Sequence, residues 1–468
     1  MTNPIQAVFS RFTNRWNSPG GYREVLKIAI PLILSTGSWS LQHFVDRMFL
    51  TWYSPEAIAA SLPAGLLNWT LISFFVGVAV YANTFVAQYF GAKQEKRIGP
   101  AVWQALYFSV ISAVLVIPFY FSAGAVFEFA GHSSDVIELE IVYFQILLLA
   151  TPFIVAANAA TSFFSGLGRT WIIMWVNIFT TFINLVFDYL LIFGNLGFPE
   201  LGIMGAGWAS VLAMIFSATV FLWLFLRTPD HKRFDTRNFR FDSDLFRRLL
   251  KFGIPNGLQF VQAVFAFTLF IFLVGRLGIN ELAATNITFN INTLSFMPMM
   301  GMSIAVATLV GQRLGEDNPA LAKRTTYSTF QLAFIYFTTL SCFYFLLPEV
   351  FIWPFELEAD PVEFAPIREM VINMLKFVAL FGLFDSGNVI FSGAIKGAGD
   401  TRYVAIATLV LSVFLLLIPS WLAATVFDAG IYWLWTAVTV YIAGLCIAFW
   451  IRFRRGHWEK MRVIEEAS

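Results

Sequence analysis

The sequence predicts an all-α integral membrane protein, on three observations. Charged residues make up 13% of the chain, against about 25% in soluble domains. Hydrophobic residues make up 58%, and the mean hydropathy is +0.71. The apolar residues come in blocks of about 20 or more, which is the length of a membrane-spanning helix rather than of a barrel strand. A net charge of +1 disfavours a nucleic-acid-binding protein.

The apolar blocks are separated by short polar loops and predict twelve transmembrane helices. Several blocks exceed the roughly 20 residues that cross a bilayer, so these helices must tilt, bend or project beyond it. The predicted spans cover residues 26–52, 57–90, 101–130, 138–167, 170–195, 203–227, 247–276, 281–314, 325–353, 364–397, 402–427 and 430–453.

The first 25 residues contain three arginines and no apolar block before the first span, so they are not predicted to be a cleavable signal. Their apolar side chains, from Ile5 to Trp16, fall on one helical face. This pattern indicates a short interfacial helix on the inner leaflet, with a frayed tail as the alternative.

Basic residues predict the orientation of the spans. The N-terminus, the loops after even-numbered spans and the C-terminus together hold 26 of the 30 lysines and arginines. The loops on the other side are acidic, with Glu138 and Glu140 in one and Glu358 in another. We therefore expect a multi-pass protein of the inner cell membrane with both termini in the cytoplasm.

An internal repeat divides the chain into two halves. A shift of 224 residues superimposes residues of spans 1 and 2 on those of spans 7 and 8, and a second match pairs Gly166–Thr170 with Gly397–Thr401. The chain is therefore predicted to form two pseudo-symmetric six-helix bundles, related by an axis along the membrane normal. The residues matched by the first shift are Ile30-Pro31 with Ile254-Pro255, Asn68 with Asn292, Gly77 with Gly301, Thr84 with Thr308 and Gln88 with Gln312.

The predicted domain limits follow from this repeat. They are a cytoplasmic N-terminal segment, an N-lobe of spans 1–6, a linker, a C-lobe of spans 7–12 and a cytoplasmic tail. Mixed charges favour a plain solvated loop for the linker. The limits are 1–25, 26–227, 228–246, 247–453 and 454–468.

Three acidic residues fall deep inside predicted spans: Asp46, Asp188 and Asp385. An intramembrane carboxylate costs about 2.5–3.5 kcal/mol on insertion scales, so such residues are functional candidates. Asn184 lies one turn before Asp188 on the same face, where an amide and a carboxylate can bind a hard cation or hold a proton. A structural ion pair and a carboxylate in a water pocket are the alternatives.

The remaining polar residues of the spans give weaker signals. His43 lies near Asp46 and is interpreted as a packed polar residue, while Arg47 could form a local ion pair with Asp46. Asp385 has Asn388 at i+3, and Gln262 is the nearest polar candidate on span 7. The two cysteines and four histidines match no metal-site spacing. The Gly-x-Gly segments lack nucleotide-binding spacing and are interpreted as helix-end turns, so no cofactor is predicted.

Ordered segments in both halves resemble the multidrug and toxic compound extrusion (MATE) family. The resemblance covers about residues 23–455 and implies two bundles in a V shape. It further implies a monomeric secondary transporter in the lipid bilayer that exchanges Na⁺ or H⁺ for small organic solutes, often cationic and amphipathic. The segments are FVDRMFLTWYSPEAIAA, TFVAQYFGAKQEKRIG, GLGRTW, NLVFDYLLIFG, LGIMGAGWAS, KFGIPNGLQ, LVGQRLGEDNPALAKR and FDSGNVIFSGAIKGAGDTR.

The resemblance also implies roles for individual residues. Asp46, Asn184 and Asp188 match a first-lobe site for Na⁺ or a proton, and Ser210 stands where the family usually has threonine. The positions that match lining residues are Tyr143, Asn158 and Asp385, together with Gln262 beside Ala263, where many members carry an acid on span 7. Because that acid is missing, we expect coupling through the first lobe.

Three other functions are alternatives. A lipid-linked oligosaccharide flippase of the wider superfamily is the main one, supported only by a few basic residues outside the cytoplasmic set, such as Arg47 and Arg276. A non-transporting receptor or scaffold has no need of intramembrane acids and a repeat. An enzyme is not predicted, because no nucleophile–base pair or metal set is readable.

Overall fold

The computed structural model describes residues 14–130, 133–357, 361–427 and 429–465, and these are nearly all helical. The predicted interfacial helix lies mostly outside the described residues. The helices are α1 (Tyr22–Tyr53), α2 (Pro55–Val80), α3 (Ala82–Gly91), α4 (Ile98–Leu115), α5 (Ile117–Ala130), α6 (Ser134–Leu149), α7 (Thr151–Gly166), α8 (Thr170–Phe193), α9 (Ile203–Leu226), α10 (His231–Phe234), α11 (Ser243–Gly275), α12 (Ile279–Gly315), α13 (Pro319–Leu346), α14 (Pro348–Glu356), α15 (Pro361–Ala398), α16 (Thr401–Leu411), α17 (Ile418–Thr425) and α18 (Ile431–Arg454).

Prolines explain why several predicted spans are divided. Spans 3, 4 and 9 break just before Pro118, Pro152 and Pro348, and span 11 contains a π-helical turn, Ser412–Leu417, just before Pro419. Proline lacks the N–H that would continue the helical hydrogen bonds, so a regular helix ends or distorts there. Span 2 also breaks, at Tyr81, and nothing in the structure explains that break.

The twelve predicted spans correspond to these helices, taken singly or in consecutive pairs. Among the described residues, eleven stretches between Pro55 and Arg454 are long and apolar enough to cross a membrane. Helix α1 is the twelfth span and falls outside that set. It has the required length, but Gln42, His43, Asp46 and Arg47 lower its hydropathy. The polar residues that weaken α1 as a span are those that make it a candidate for function.

Two glycine contacts show the repeat in three dimensions. A Cβ on Gly77 would lie 2.7 Å from Gly257 Cα, and a Cβ on Gly301 would lie 2.7 Å from Ile33 N. The 224-residue shift relates Gly77 to Gly301 and also Ile33 to Gly257. The same helix-to-helix approach therefore occurs twice, and in both cases only glycine allows the backbones to come so close.

The Gly-x-Gly segments are also structural, as the sequence indicated. Gly168 and Gly399 have φ values of 73° and 115°, in the region that favours glycine. A Cβ on Gly166 would lie 3.0 Å from Asn83 O, and one on Gly397 would lie 2.5 Å from Ala307 O. These glycines therefore serve tight turns and close helix packing.

The chain forms two compact units. The N unit comprises residues 34–261 and 463–468, and the C unit comprises residues 1–33 and 262–462. The cytoplasmic half of α1 thus belongs to the C unit, and that of α11 belongs to the N unit. The unit limits differ from the lobe limits proposed from the linker, 26–227 and 247–453, which describe the sequence repeat.

The linker is not the solvated loop that its charges suggested. Phe234 and Thr236 are fully buried, and Trp103 Nε1 donates a hydrogen bond to Thr236 O at 2.9 Å. Asp230 accepts from Arg169 at 2.6 Å, which lowers the pKa of this exposed carboxyl. Apolar and aromatic residues between the charges hold the linker against the N unit, and a count of charges does not detect them.

Candidate functional site

Helix α8 places Asn184 and Asp188 inside the N unit. The helix begins at Thr170 and ends where Gly194 adopts a left-handed conformation with φ of 68°. Asn184 and Asp188 are four residues apart, so they share one face. Both are fully buried. A carboxyl group in this position must be stabilised by neighbouring polar groups or carry a proton.

Helix α1 carries a second amide–acid pair with the same spacing. Gln42 lies four residues before Asp46, just as Asn184 lies four residues before Asp188. Gln42 is 3% exposed and Asp46 is half-buried. Sequence reasoning named Asp46 but missed Gln42, although the repeated four-residue spacing was the signal that could have found it.

The two pairs meet. With its amide nitrogen turned toward the carboxyl groups, Asn184 donates to Asp46 Oδ1 at 3.0 Å and to Asp188 Oδ2 at 3.2 Å. The same Asn184 atom lies 3.0 Å from Gln42 Nε2. The Asp46 and Asp188 carboxyl groups lie within hydrogen-bonding reach of each other. Asp46, Asn184 and Asp188 therefore form one site, as the resemblance implied.

This site ends a row of polar contacts between α1 and α8, here called the polar seam. Asn177 Nδ2 donates to Ser35 Oγ at 2.5 Å, and Thr181 Oγ1 donates to Ser38 O at 3.4 Å. The contacts then reach Asn184 and the two carboxyl groups. The spacing of three or four residues on both helices keeps the row on facing sides, so polar side chains join α1 to α8 along four turns.

The other N-unit candidates surround the site unevenly. Tyr143 is 9% exposed and interacts electrostatically with Asp46, Asp188 and Arg47. Ser210 is half-buried on α9, one turn after Gly207, whose Cβ position lies 3.4 Å from Tyr143 Cδ2. A direct contact between Ser210 and the carboxyl groups is not part of the site.

Asn158 lies farther along the N unit. It is half-buried on α7, and its Nδ2 donates to Ile154 O of its own helix at 2.8 Å. The structure therefore gives the Asn158 donor to the helix backbone.

Asp385 forms a separate polar site in the C unit. It is 7% exposed and accepts from Asn388 Nδ2 at 2.8 Å, within the single helix α15. Tyr441 and Cys446 on α18 interact electrostatically with it. Gln262 is half-buried on α11, and its Oε1 has no hydrogen-bond partner among the described residues.

A metal centre of ordinary composition is not formed by the residues that the structure describes. Within those ranges, no group of three or more His, Cys, Asp or Glu side chains could hold a metal ion. The polar seam supplies two carboxyl groups and two amides instead. That set can hold a proton, or a single alkali cation through its oxygens.

One acidic residue was misplaced by the sequence reasoning. Glu140 was assigned to an outer loop, but α6 begins at Ser134, four residues earlier than the predicted span. Glu140 therefore lies in the second turn of α6 and is fully buried. The N unit thus contains a third buried acid, besides Asp46 and Asp188.

Comparisons with known proteins give one consistent result. The MatE family model matches residues 31–190 and 255–422, which is most of the chain. A probable multidrug resistance protein NorM of Pseudomonas putida is 27% identical over 451 residues, covering 95% of this chain and 96% of the relative. A probable multidrug resistance protein YoeA of Bacillus subtilis is 29% identical over 312 residues, covering 65% of this chain and 67% of the relative.

Solved structures agree in fold. The crystal structure of a MATE protein in the bent conformation has a TM-score of 0.83 at 20% identity, covering 96% of this chain and 98% of that one. An outward-facing multidrug resistance MATE family transporter of the MOP superfamily has a TM-score of 0.83 at 19% identity, covering 94% and 97%. The similarity therefore extends over both halves of the repeat.

Proposed function

The chain belongs to the MatE family, and from this premise we propose that it exports small organic solutes in exchange for protons bound at Asp46 and Asp188. The coarser statement is established by family membership: the protein is a multi-pass membrane transporter, not an enzyme, and needs no cofactor. The names of its relatives support drugs and similar organic molecules as the solutes. No observation on the described residues specifically favours the flippase alternative.

The contact between two buried carboxyl groups is the observation that carries the proton proposal. Two ionised carboxylates at hydrogen-bonding distance in a buried site repel each other strongly, and one proton between them removes that repulsion. A Na⁺ ion would instead lie between the oxygens and separate them. The direct reach of Asp46 to Asp188 therefore favours H⁺ over Na⁺.

Asn184 can serve both charge states of the pair because its amide has a donor end and an acceptor end. With nitrogen toward the aspartates, it donates to ionised Asp46 and Asp188. With oxygen toward them, it accepts from a protonated carboxyl group and from Gln42 Nε2. A half-turn of one side chain thus keeps the buried site satisfied before and after protonation.

Coupling requires the proton to bind one conformation more tightly than another. In a conformation that closes the site, an ionised pair is costly because the charges lose water. Protonation lowers that cost and so favours the closed arrangement, from which the solute is released outward. The 26 basic residues on one side place both termini in the cytoplasm in this scheme, so protons enter from the opposite face.

Transport by purified protein in liposomes tests the proposal. A fluorescent organic cation is followed first under a pH gradient and then under a Na⁺ gradient. We expect the pH gradient alone to drive efflux, and Asp188→Asn to reduce it to the rate of empty liposomes. Asp244→Asn, which changes an exposed acid, is the control.

Two results would contradict the proposal. Full efflux by Asp188→Asn would remove the aspartate pair from coupling. Efflux driven by Na⁺ at equal pH on both sides would replace the proton by Na⁺. Translocation of lipid-linked sugar, with no movement of organic solute under either gradient, would favour the flippase.

A further inference from the structure

Glu140 is a buried acid that the coupling scheme above does not use. It lies on α6, between the exposed residues Asp135 and Glu138 on one side and Tyr143 on the other. Glu140 itself is fully buried. A carboxyl group is rarely buried in a transmembrane helix without a functional reason.

Tyr143 connects Glu140 with the coupling site. The two residues are three positions apart on α6, so their side chains emerge from the same face, about 5–6 Å apart at Cβ. Tyr143 in turn interacts electrostatically with Asp46 and Asp188. Glu140, Tyr143 and the aspartate pair therefore form a series of proton-bearing groups, which begins one to two turns from the outer end of α6.

Other titratable groups near α6 lie on the helices packed against it, which are α2, α5, α7 and α9. Helix α2 contributes Glu56, which is exposed, and α5 contributes Tyr120 and the exposed Glu128. Helices α7 and α9 have no titratable side chain. Toward the site, Arg47 on α1 interacts with Tyr143 and holds a positive charge beside the aspartates.

We infer that Glu140 relays protons between the outer face of the membrane and the Asp46–Asp188 pair by way of Tyr143. This inference rests on the proposed proton coupling. One proton moves at each step. Glu140 accepts a proton from outer water, and the Tyr143 hydroxyl then accepts it while donating its own proton to the aspartate pair. Tyr143 ends unchanged, Glu140 returns to its carboxylate, and the pair gains one proton.

The test compares Glu140→Gln with Glu138→Gln, which alters an exposed acid two residues away on the same helix. Both variants are reconstituted and measured for efflux under a pH gradient and for solute–solute exchange at equal pH. We expect Glu140→Gln to slow pH-driven efflux by at least about tenfold, because a positioned proton carrier is lost. Exchange at equal pH should stay at the level of Glu138→Gln, since it requires no proton transfer.

The outcomes separate this inference from the coupling proposal. If Asp188→Asn is inactive while Glu140→Gln matches Glu138→Gln, the relay is wrong and the coupling site stands. If Asp188→Asn keeps wild-type efflux, the coupling proposal fails and the relay fails with it. Equal losses of efflux and exchange in Glu140→Gln indicate a structural role and overturn the relay.

A second measurement keeps the test valid if Glu140→Gln does not fold. Wild-type protein in liposomes is treated with a hydrophobic carbodiimide, which reacts with protonated carboxyl groups, and the modified peptides are identified by mass spectrometry. The relay predicts labelling of Glu140 that falls as the outer pH is raised. Absence of labelling across the pH range would mean a permanently ionised Glu140 and would overturn the inference.

Discussion

The N unit and the C unit bury acidic residues in different ways. In the N unit, Asp46 and Asp188 come from two helices and meet at the end of the polar seam. In the C unit, Asp385 is held within one helix by Asn388. The N-unit site therefore depends on the relative position of α1 and α8, whereas the C-unit contact is local to α15.

The repeat makes this difference informative. Residues 224 positions after Gln42 and Asp46 are Ala266 and Phe270, which are buried and apolar. The second match, at 231 positions, places Pro419 opposite Asp188. Duplication has thus kept the close helix contacts at Gly77 and Gly301 but not the acids. A shared fold in the two halves does not imply a shared chemistry.

The largest expected effect contrasts the two acidic sites directly. Asp188→Asn should reduce pH-driven efflux to background, because the pair can no longer change its charge with the proton. Asp385→Asn should leave pH-driven efflux in place, because its hydrogen bond lies within one helix. Initial efflux rates in liposomes check this, and equal losses in the two variants would show that both units couple protons.

Introducing an acid into the C unit should be nearly as harmful. Phe270 is fully buried where the repeat matches Asp46. Phe270→Asp should lower the free energy of unfolding by about 3 kcal/mol or more, since it removes a buried ring and buries a carboxyl group. Thermal unfolding in detergent measures the change, with Phe270→Leu as the control. An unchanged melting temperature would mean that the C unit has its own polar seam.

A smaller effect tests what the two units share. Gly77→Ala and Gly301→Ala should each cost about 1–3 kcal/mol, because the added Cβ meets backbone atoms at 2.7 Å. Gly65→Ala is the control on the same helix as Gly77, since its Cβ position has no neighbour within 4 Å. Unfolding of all three variants is compared, and a clear difference between Gly77→Ala and Gly301→Ala would argue against equivalent contacts.

The smallest effect concerns Glu465, which belongs to the N unit although it follows the last span. It accepts from Tyr89 and Arg97 at 2.8 Å and pairs with Arg248. Burial raises the pKa of Glu465, but these hydrogen bonds and charges outweigh burial and lower the pKa to about 2. The carboxylate therefore stabilises the fold above its ordinary pKa of about 4.3, and this stabilisation is lost as the pH falls to about 2.

Glu465→Gln should thus destabilise the protein at neutral pH by no more than about 1 kcal/mol, because the group is partly exposed. The difference from wild type should shrink as the pH falls below about 4. Melting temperatures over a pH series check this, with Glu138→Gln as the control. A difference that grows toward acid pH would contradict the assignment.

The sequence was sufficient for the spans and for most of the coupling site. Long apolar blocks and prolines limit where transmembrane helices begin and break, so the spans were predicted to within a few residues. Buried carboxyl groups are costly enough to be recognised from sequence alone, which identified Asp46 and Asp188. The amide at Asn184 followed from its spacing on the same helix.

Other parts of the site depend on packing between helices that are distant in the sequence. Gln42 carries no charge, and its role becomes visible only when α1 lies beside α8. Glu140 was missed because the beginning of α6 was placed four residues late, which moved a buried turn into a loop. The docked linker was missed because its buried Phe234 lies between charged residues.

The assignment of the first part of α1 to the C unit has a consequence for biosynthesis. Ile33 packs against Gly301, which is made 268 residues later in the chain. At synthesis rates of roughly 5–20 residues per second, the first helix waits about 13–54 s for this partner. During that interval its N-terminal half lies in the membrane without its final packing. Insertion of the first span must therefore tolerate a delay that the later spans of the C unit do not face.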